Sequence, residues 1–365
     1  MAEVLLAGGG TAGHVNPLLA VAAELHRRDP DIGVTVLGTS EGLEAELVPA
    51  AGHRMVVVPR APLPRRPTLD WFRLPGRLRS AGRTAEAAIA TGGIDVVVGF
   101  GGYVAVPAYL AARRAGIPIV VHEQNARPGL ANRLGARWAS AVAVTFPGTR
   151  LRSGQVTGLP LRPQIADLIA DRAADTGAVR RRGALELGLD PDRTTVLVTG
   201  GSLGALRLNA TMSACADALL DAGAQVLHLT GAGKDEPVRR AVADRDGYHV
   251  RAYLAQMEHA LAVADLVVAR AGAGTVSELS ALGLPAVYVP LPIGNGEQRR
   301  NAAPVVAAGG GLMVDDAAFT PDWVRAAVLP LLVDVERRAA MAEAAAATGV
   351  PDAAARVADL VEEAW

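Results

Sequence analysis

Two doubly wound α/β domains facing each other across a cleft are the fold that this 365-residue sequence predicts. Three observations point to it. Short apolar runs alternate with helix-periodic stretches along nearly the whole chain, and the runs are continuous, as expected of parallel strands covered on both faces. The chain opens the same way twice: Val4-Leu5-Leu6-Ala7 precedes Gly8-Gly9-Gly10-Thr11, and Val196-Leu197-Val198-Thr199 precedes Gly200-Gly201-Ser202. Between the two series, Gly158-Leu159-Pro160-Leu161-Arg162-Pro163 interrupts the pattern with glycine and proline, the mark of a linker or hinge.

The elements follow in order. Residues 4–7 read as a buried strand, then a glycine loop and a helix through Leu18, Val21 and Leu25. Further strands are expected over 34–37, 55–58, 96–98, 117–121 and 141–144. The second series places strands at 195–199, 226–229, 250–253, 266–269 and 286–289, with one long helix running from the 200–204 loop to about Ala222. From about Trp323 the chain reads as helical and Ala-rich. Pro351-Asp352 breaks it before a last amphipathic helix carrying Val357, Leu360 and Val361 on one face. The expected domains are 1–160 and 161–340, with terminal helices over 341–365 able to pack back on the first.

Composition narrows the function. Half the residues are hydrophobic but only 4% are aromatic, so a large core must be built from Ala, Val and Leu. A net charge of -1 points to neither nucleic acid nor another polyanion as partner. The lone cysteine, Cys215, excludes an internal disulfide, fits a reducing cytoplasm, and lies among apolar neighbours where an inert core thiol is expected. No charged-then-apolar leader opens the chain, and no uncharged apolar run approaches the ~18 residues of a spanning helix.

The most informative stretch runs from Val267 to Asn301. An apolar strand is followed by Arg270-Ala271-Gly272-Ala273-Gly274, and a helix is expected from about Thr275. First-turn amides lack internal partners and carry partial positive charge, so a phosphate would be stabilised there without a cationic side chain. Thr275-x-x-Glu278 is also a capping box, which spacing alone favours. The bare glycines ahead of it favour a close ligand instead. Beyond the next strand, a polar loop leads to a helix carrying Gln298 and Asn301. Amides for a diphosphate, a carboxylate nearby, and amide side chains for a sugar make the layout of a nucleotide-sugar pocket.

Other motifs are weaker alone. Gly8, Gly10 and Gly13 satisfy G-x-G-x-x-G, but no acid ends the second strand as dinucleotide binding wants, Glu41 being too far on. His14 stands at a helix start, where the amide end disfavours imidazolium and leaves a neutral base; it could equally cap or pack. Gly99-Phe100-Gly101-Gly102-Tyr103 carries more glycine than a tight turn needs. His122-Glu123-Gln124-Asn125 follows the fifth strand at its ligand-binding end, and loop bonding accounts for some of these four but not all. Arg162, in the hinge, could reach a diphosphate. Asp29-Pro30-Asp31 and Asp190-Pro191-Asp192 are turns rather than metal ligands. No essential metal or other cofactor is therefore expected; amides and Arg162 would stabilise a leaving diphosphate.

Taken together, Gly9-Gly10-Thr11-Ala12-Gly13-His14, Gly101-Gly102-Tyr103, His122-Glu123-Gln124-Asn125, Gly200-Gly201-Ser202-Leu203-Gly204-Ala205 and Gly272-Ala273-Gly274-Thr275-Val276-Ser277-Glu278 resemble the MurG family, in order and over nearly the whole chain. These are the N-acetylglucosaminyltransferases that form lipid II for bacterial peptidoglycan. The resemblance implies a GT-B fold, inversion at the sugar carbon, UDP-N-acetylglucosamine as donor and undecaprenyl-diphospho-muramoyl-pentapeptide as acceptor. It implies that Glu278 binds the ribose and that the Leu254 backbone meets the uracil. Ser202, Arg162 and the turn Ala273, Gly274, Thr275, Val276, Ser277 would hold the diphosphate. Gln298 and Asn125 would contact the N-acetylglucosamine, with Thr11, Ala12 and Gly13 approaching the donor from the other side. Gly101, Gly102 and Tyr103 fall on the acceptor side. His14 resembles the family's proposed base, with Glu123 the next candidate. Ala12 and Glu297 depart from the commoner glycine and glutamine. A nicotinamide-dependent enzyme lacks its ribose-binding acid, and a non-catalytic binding module would not need His14.

Arg60 to Arg83 holds Asp70 as its only acid, beside Trp71, Phe72, Leu74 and Leu78. Arginines beside an aromatic-aliphatic patch fit an interfacial surface; an ordinary solvated loop would have the same composition. The lipid-linked acceptor favours peripheral attachment to the cytoplasmic, inner face of the plasma membrane.

Overall fold

The structure, a computed structural model, describes residues 2–60, 70–201, 203–243 and 245–365, with backbone alone for 70–73. The chain divides into two compact units, Met1–Pro163 with Pro351–Trp365, and Gln164–Val350. The junction falls at the end of the Gly158–Pro163 break. The terminal helices part: Val335–Ala346 belongs to the second unit and Ala353–Glu362 to the first. The expected grouping over 341–365 is corrected accordingly.

The first unit holds a seven-stranded parallel sheet: β1 Glu3–Ala7, β2 Gly33–Gly38, β3 Arg54–Val57, β4 Val96–Gly99, β5 Ile119–Glu123, β6 Ala141–Val144 and β7 Gly154–Val156. Its order is β3-β2-β1-β4-β5-β6-β7. The second holds a six-stranded parallel sheet: β8 Thr195–Thr199, β9 Gln225–Leu229, β10 Tyr248–Arg251, β11 Leu266–Ala269, β12 Ala286–Tyr288 and β13 Gly311–Met313. Its order is β10-β9-β8-β11-β12-β13. The edge strands β7 and β13 were not expected: each has three residues, and β7 is exposed throughout, so neither leaves an apolar run. In both sheets the order reverses beside the opening strand, between β1 and β4 and between β8 and β11. Ligands of such sheets bind beyond the carboxyl ends of the strands at that reversal.

Burial on both faces explains the continuous apolar runs. Val4, Leu6, Val36 and Val98 enter one core with Leu18, Val21 and Leu25, while Leu5, Ala7, Leu37 and Val97 enter the opposite core with Ala85, Ile89 and Tyr109. The last helix seals the first core with Val357, Leu360 and Val361. Arg28 ties it down, donating to Asp359 and Glu362 at 2.7 Å each and to the Ala355 carbonyl at 2.9 Å.

The long helix expected after Gly204 is two helices, Leu206–Ala214 and Ala216–Asp221, that break at Cys215. That thiol is buried against the Pro321 carbonyl, and burial pushes its pKa up, so it is unreactive.

Candidate functional site

In the first unit, the reversal between β1 and β4 collects three loops. Gly8–Thr11 leaves β1 and enters helix Ala12–Arg28, with Thr11 as an extended N-cap whose side chain makes no capping bond. Its hydroxyl lies 2.9 Å from His14 Nδ1 instead. Burial pushes the His14 pKa down to about 4, against the opposing pull of the Glu44 carboxylate, so the ring is neutral near pH 7. Its Nε2 edge faces Gly101, where an added Cβ would sit 3.2 Å away. Gly101, at φ 94°, and Gly102, at φ 74°, start helix Gly102–Ala115 in a conformation that side chains disfavour. A Cβ on Gly102 would also strike the Gly9 carbonyl at 2.8 Å. These glycines therefore serve close packing of loop on loop, and Tyr103 follows them against Gly10.

The loop after β5 is built around Glu123. Its carboxylate accepts from the Asn125 and Gly129 amides at 2.9 and 3.0 Å and from Asn132 Nδ2 at 3.0 Å. Asn132 accepts in turn from the Tyr109 hydroxyl at 2.8 Å. Burial raises the Glu123 pKa in spite of these donors. A side chain 2% exposed and engaged from three directions anchors a loop; this corrects the expectation of Glu123 as reserve base. His122, donating from Nε2 to the Gly158 carbonyl at 3.2 Å, and Gln124 are also buried, so loop bonding and packing account for three of the four polar residues. Asn125 is the half-buried member whose backbone Glu123 fixes. Arg162 falls in this unit, half-buried, just before helix Pro163–Leu187.

The second unit repeats the arrangement with different chemistry. β11 is followed by Arg270-Ala271, and the N-cap of helix Ala273–Ala281 is Gly272, which has no side chain to bond the first-turn amides. The helix thus begins two residues before the expected Thr275. Thr275 lies inside the first turn and Glu278 a turn further on, half-buried, so the capping box is not formed. A Cβ at Gly274 would meet nothing within 4 Å. Helix Glu297–Ala307 fixes the turn: Gln298 Oε1 accepts from the amides of Ala271 at 3.2 Å and Leu291 at 2.9 Å, and Asn301 Nδ2 donates to the Ala271 carbonyl at 3.3 Å. Gln298 therefore presents its carboxamide nitrogen, not its oxygen, for any further contact. Across the reversal, the glycine loop after β8 packs on the turn after β9, where a Cβ on Gly204 would lie 1.9 Å from the Thr230 carbonyl. Ser202 lies outside the described residues. Leu254 is half-buried in the loop after β10, which ends at Arg251 rather than Tyr253.

Two residues of consequence had gone unread. Glu44, on helix Glu44–Ala50, reaches under the first glycine loop. Arg270 donates to the Val289 and Pro290 carbonyls at 3.0 and 3.2 Å and pairs with Asp316 at 2.7 Å, bracing the second turn. Arg270 could have been suspected from its place between strand and glycines; Glu44 could not, because the glycine loop it reaches is 34 residues away in sequence.

Of the basic segment, residues 61–69 lie outside the described residues and Trp71 and Phe72 are described by backbone alone. Leu74, expected on the interfacial patch, is 7% exposed and packs into its own unit. Among the described residues no helix is long and apolar enough to cross a membrane, and no group of three or more His, Cys, Asp or Glu could hold a metal ion.

Both units are similar to known proteins. The glycosyltransferase family 28 N-terminal domain matches residues 4–144, and the family's C-terminal domain matches residues 195–357. A relative from Clavibacter sepedonicus is 57% identical over 369 residues, covering 100% of this chain and 97% of its own. One from Leifsonia xyli subsp. xyli is 55% identical over 361 residues, covering 99% and 98%. Both are named UDP-N-acetylglucosamine–N-acetylmuramyl-(pentapeptide) pyrophosphoryl-undecaprenol N-acetylglucosamine transferase. The chain belongs to the MurG family of glycosyltransferase family 28. A crystal structure of the MurG of Acinetobacter baumannii superimposes with a TM-score of 0.80 at 29% identity, covering 100% of both chains. The fold class is thus GT-B, with two Rossmann-like domains, and within the MurG family the two glycine turns described above take up the chain's two sheet reversals.

Proposed function

We infer that this protein is an inverting glycosyltransferase that moves N-acetylglucosamine from UDP-N-acetylglucosamine to undecaprenyl-diphospho-N-acetylmuramoyl-pentapeptide, giving the lipid II of peptidoglycan synthesis. The observation that carries the donor half is the uncapped start of helix Ala273–Ala281 beside Glu278 at the β8/β11 reversal. Amides of Ala273, Gly274 and Thr275 receive the diphosphate, with Val276 and Ser277 completing the turn. Glu278 accepts from the ribose hydroxyls, the Leu254 backbone meets the uracil, and Gln298 donates to the sugar. Ser202 and Arg162 add to the diphosphate contacts, and Asn125 to those of the sugar.

In the first unit the reading assigns the acceptor to the loops of Thr11–His14 and Gly101–Tyr103. With Nδ1–H donating to Thr11 Oγ1, His14 keeps the Nε2 lone pair for the acceptor sugar hydroxyl. That oxygen, as its proton passes to Nε2, bonds to the anomeric carbon from the face opposite UDP. The carbon–oxygen bond to UDP breaks with its electron pair, and the amides and Arg162 stabilise the departing charge. No metal is assigned a step, so transfer should persist in EDTA. The lipid tail of the acceptor supports peripheral attachment to the inner face of the plasma membrane. Loss of sedimentation with anionic liposomes in Arg73→Glu/Arg77→Glu tests that attachment.

The deciding assay is transfer to a short-chain lipid-linked acceptor, with the product's anomeric configuration read by NMR. A β-linked disaccharide from the α-linked donor is expected. Release of free sugar alone, or a retained configuration, overturns the reading.

A further inference from the structure

We infer that Glu44 is a positioning residue for this reaction: an internal carboxylate that takes the place of an anion at the Gly10 amide of the first glycine loop, joins the loops after β1 and β2, and holds His14 in working position.

The geometry is specific. Glu44 is 0% exposed, yet both oxygens are satisfied. Oε2 accepts from the Gly10 amide at 2.9 Å; Oε1 accepts from the Thr39 amide at 3.1 Å and hydroxyl at 2.7 Å. The Thr39 hydroxyl lies 3.4 Å from that of Tyr103. One side chain therefore connects two separate loops directly, and through the Thr39 hydroxyl reaches Tyr103 in the first turn of helix Gly102–Ala115. The glycines around it are the room it occupies. A Cβ would lie 2.5 Å from Glu44 Oε1 at Gly9, 2.8 Å from its Cγ at Gly38, and 2.0 Å from its Oε2 at Gly42. Glycines at 9, 38 and 42 thus have a steric reason that involves no nucleotide.

The charge matters as much as the shape. Burial raises the carboxyl pKa, but the Gly10 amide and the Thr39 hydroxyl and amide outweigh it and hold the group below its ordinary value, so it is ionised. A phosphate brought to the Gly10 amide would meet a carboxylate already bound there. The Gly10 amide is thereby closed to a phosphate. Towards that ring, helix Glu44–Ala50 contributes the charge of Glu44. Helix Leu130–Gly135 contributes neutral Asn132, backed by Glu123. Of these, Glu44 raises the proton affinity of His14, which favours the imidazolium formed in the transition state.

This inference rests on His14 being the base, and the experiment separates the two. Glu44→Gln keeps the shape, removes the charge and sets an NH2 against a donor. It should lower kcat roughly 10–100-fold with KM for UDP-N-acetylglucosamine changed less than about twofold. NMR titration of His14, assigned with His14→Ala, should show its pKa lower still. Gly9→Ala, whose methyl displaces the carboxylate, should act in the same direction, and the double variant should lose no more than the worse single one. If Glu44→Gln does not fold, Gly9→Ala decides. His14→Ala with full kcat overturns the base assignment. An inactive His14→Ala beside a Glu44→Gln or Gly9→Ala of wild-type kcat overturns this inference alone. So does a kcat loss in those variants with an unmoved His14 titration, which would leave Glu44 a merely structural carboxylate.

Discussion

The loops after β1 and before helix Ala273–Ala281 look alike on paper and differ in sign. Both are glycine-rich, and both lie where a sheet order reverses. The Gly10 amide is bound by the Glu44 carboxylate from within. The helix beginning at Ala273 has no side-chain cap, and its turn is steadied from behind by Gln298, Asn301 and Arg270. Glycine richness therefore reports close approach of something, and the approaching group can be the protein's own acid. The first loop has one amide taken by the protein's own acid; the second begins a helix whose N-cap has no side chain to bond its amides.

The largest expected effect separates base from donor site. His14→Ala should lower kcat by about 10²–10⁴-fold while UDP affinity stays near wild type. Equal loss of both would make the first loop part of the donor site and break the comparison. Next, Glu278→Gln should weaken UDP binding by ~1.5–3 kcal/mol, since it removes charge-assisted bonds to hydroxyls. Its unfolding midpoint in urea is measured beside the affinity. A destabilised variant with normal affinity would return Glu278 to a structural role.

A matched pair of glycine changes sharpens the contrast by packing alone. Gly9→Ala should cost ~1–3 kcal/mol of stability, as its methyl meets Glu44 Oε1 at 2.5 Å. Gly274→Ala, with nothing within 4 Å, should be neutral or stabilising by up to ~1 kcal/mol, and should act on UDP affinity instead. Thermal melts with and without UDP distinguish them; equal melting losses would mean that both loops are filled.

The smallest contrast between the two units is a difference in pH dependence. His122 in the first unit and His228 in the second are buried, with pKa pushed down by burial to about 4 and about 3. Unfolded, each binds a proton at its ordinary value of 6.5, so the unfolded state gains protons first as pH falls. Stability is full above pH 6.5 and is lost towards the folded values, each histidine adding a slope approaching about 1.4 kcal/mol per pH unit. His228, bonded to Tyr248 and Asn209 at 2.9 and 3.1 Å, should keep its slope to lower pH than His122. Urea midpoints from pH 7 to 4 for His228→Gln, compared with wild type, measure the difference; identical slopes would mean that His228 is protonated when folded.

Much of this was legible in the chain itself. Strands buried on both faces had to be continuous apolar runs, so β1, β8 and β11 were read within a residue of their ends. The short edge strands β7 and β13 left no such signal. Gly272–Glu278 could be located but not interpreted, because Thr275 and Glu278 fit a cap as well as a ligand site. The helix start, set at Ala273 by the backbone, removes Thr275 from the N-cap position. His122, Glu123 and Gln124 read as a polar site from their place after β5. Packing turned them inward and left Asn125 half-buried.

Periodicity, glycine placement and motif order are properties of neighbours in the chain, and they determined the two Rossmann-like domains, the family and the positions of the loops. Which amide meets which acid depends on residues far apart in sequence, such as Gly10 and Glu44, Ala271 and Gln298, or Arg28 and Asp359. A carboxylate buried without donors would cost several kcal/mol, so its partners are set by where the folded loops bring their amides. Tertiary structure alone decided that the first glycine loop is already occupied and the second is not capped.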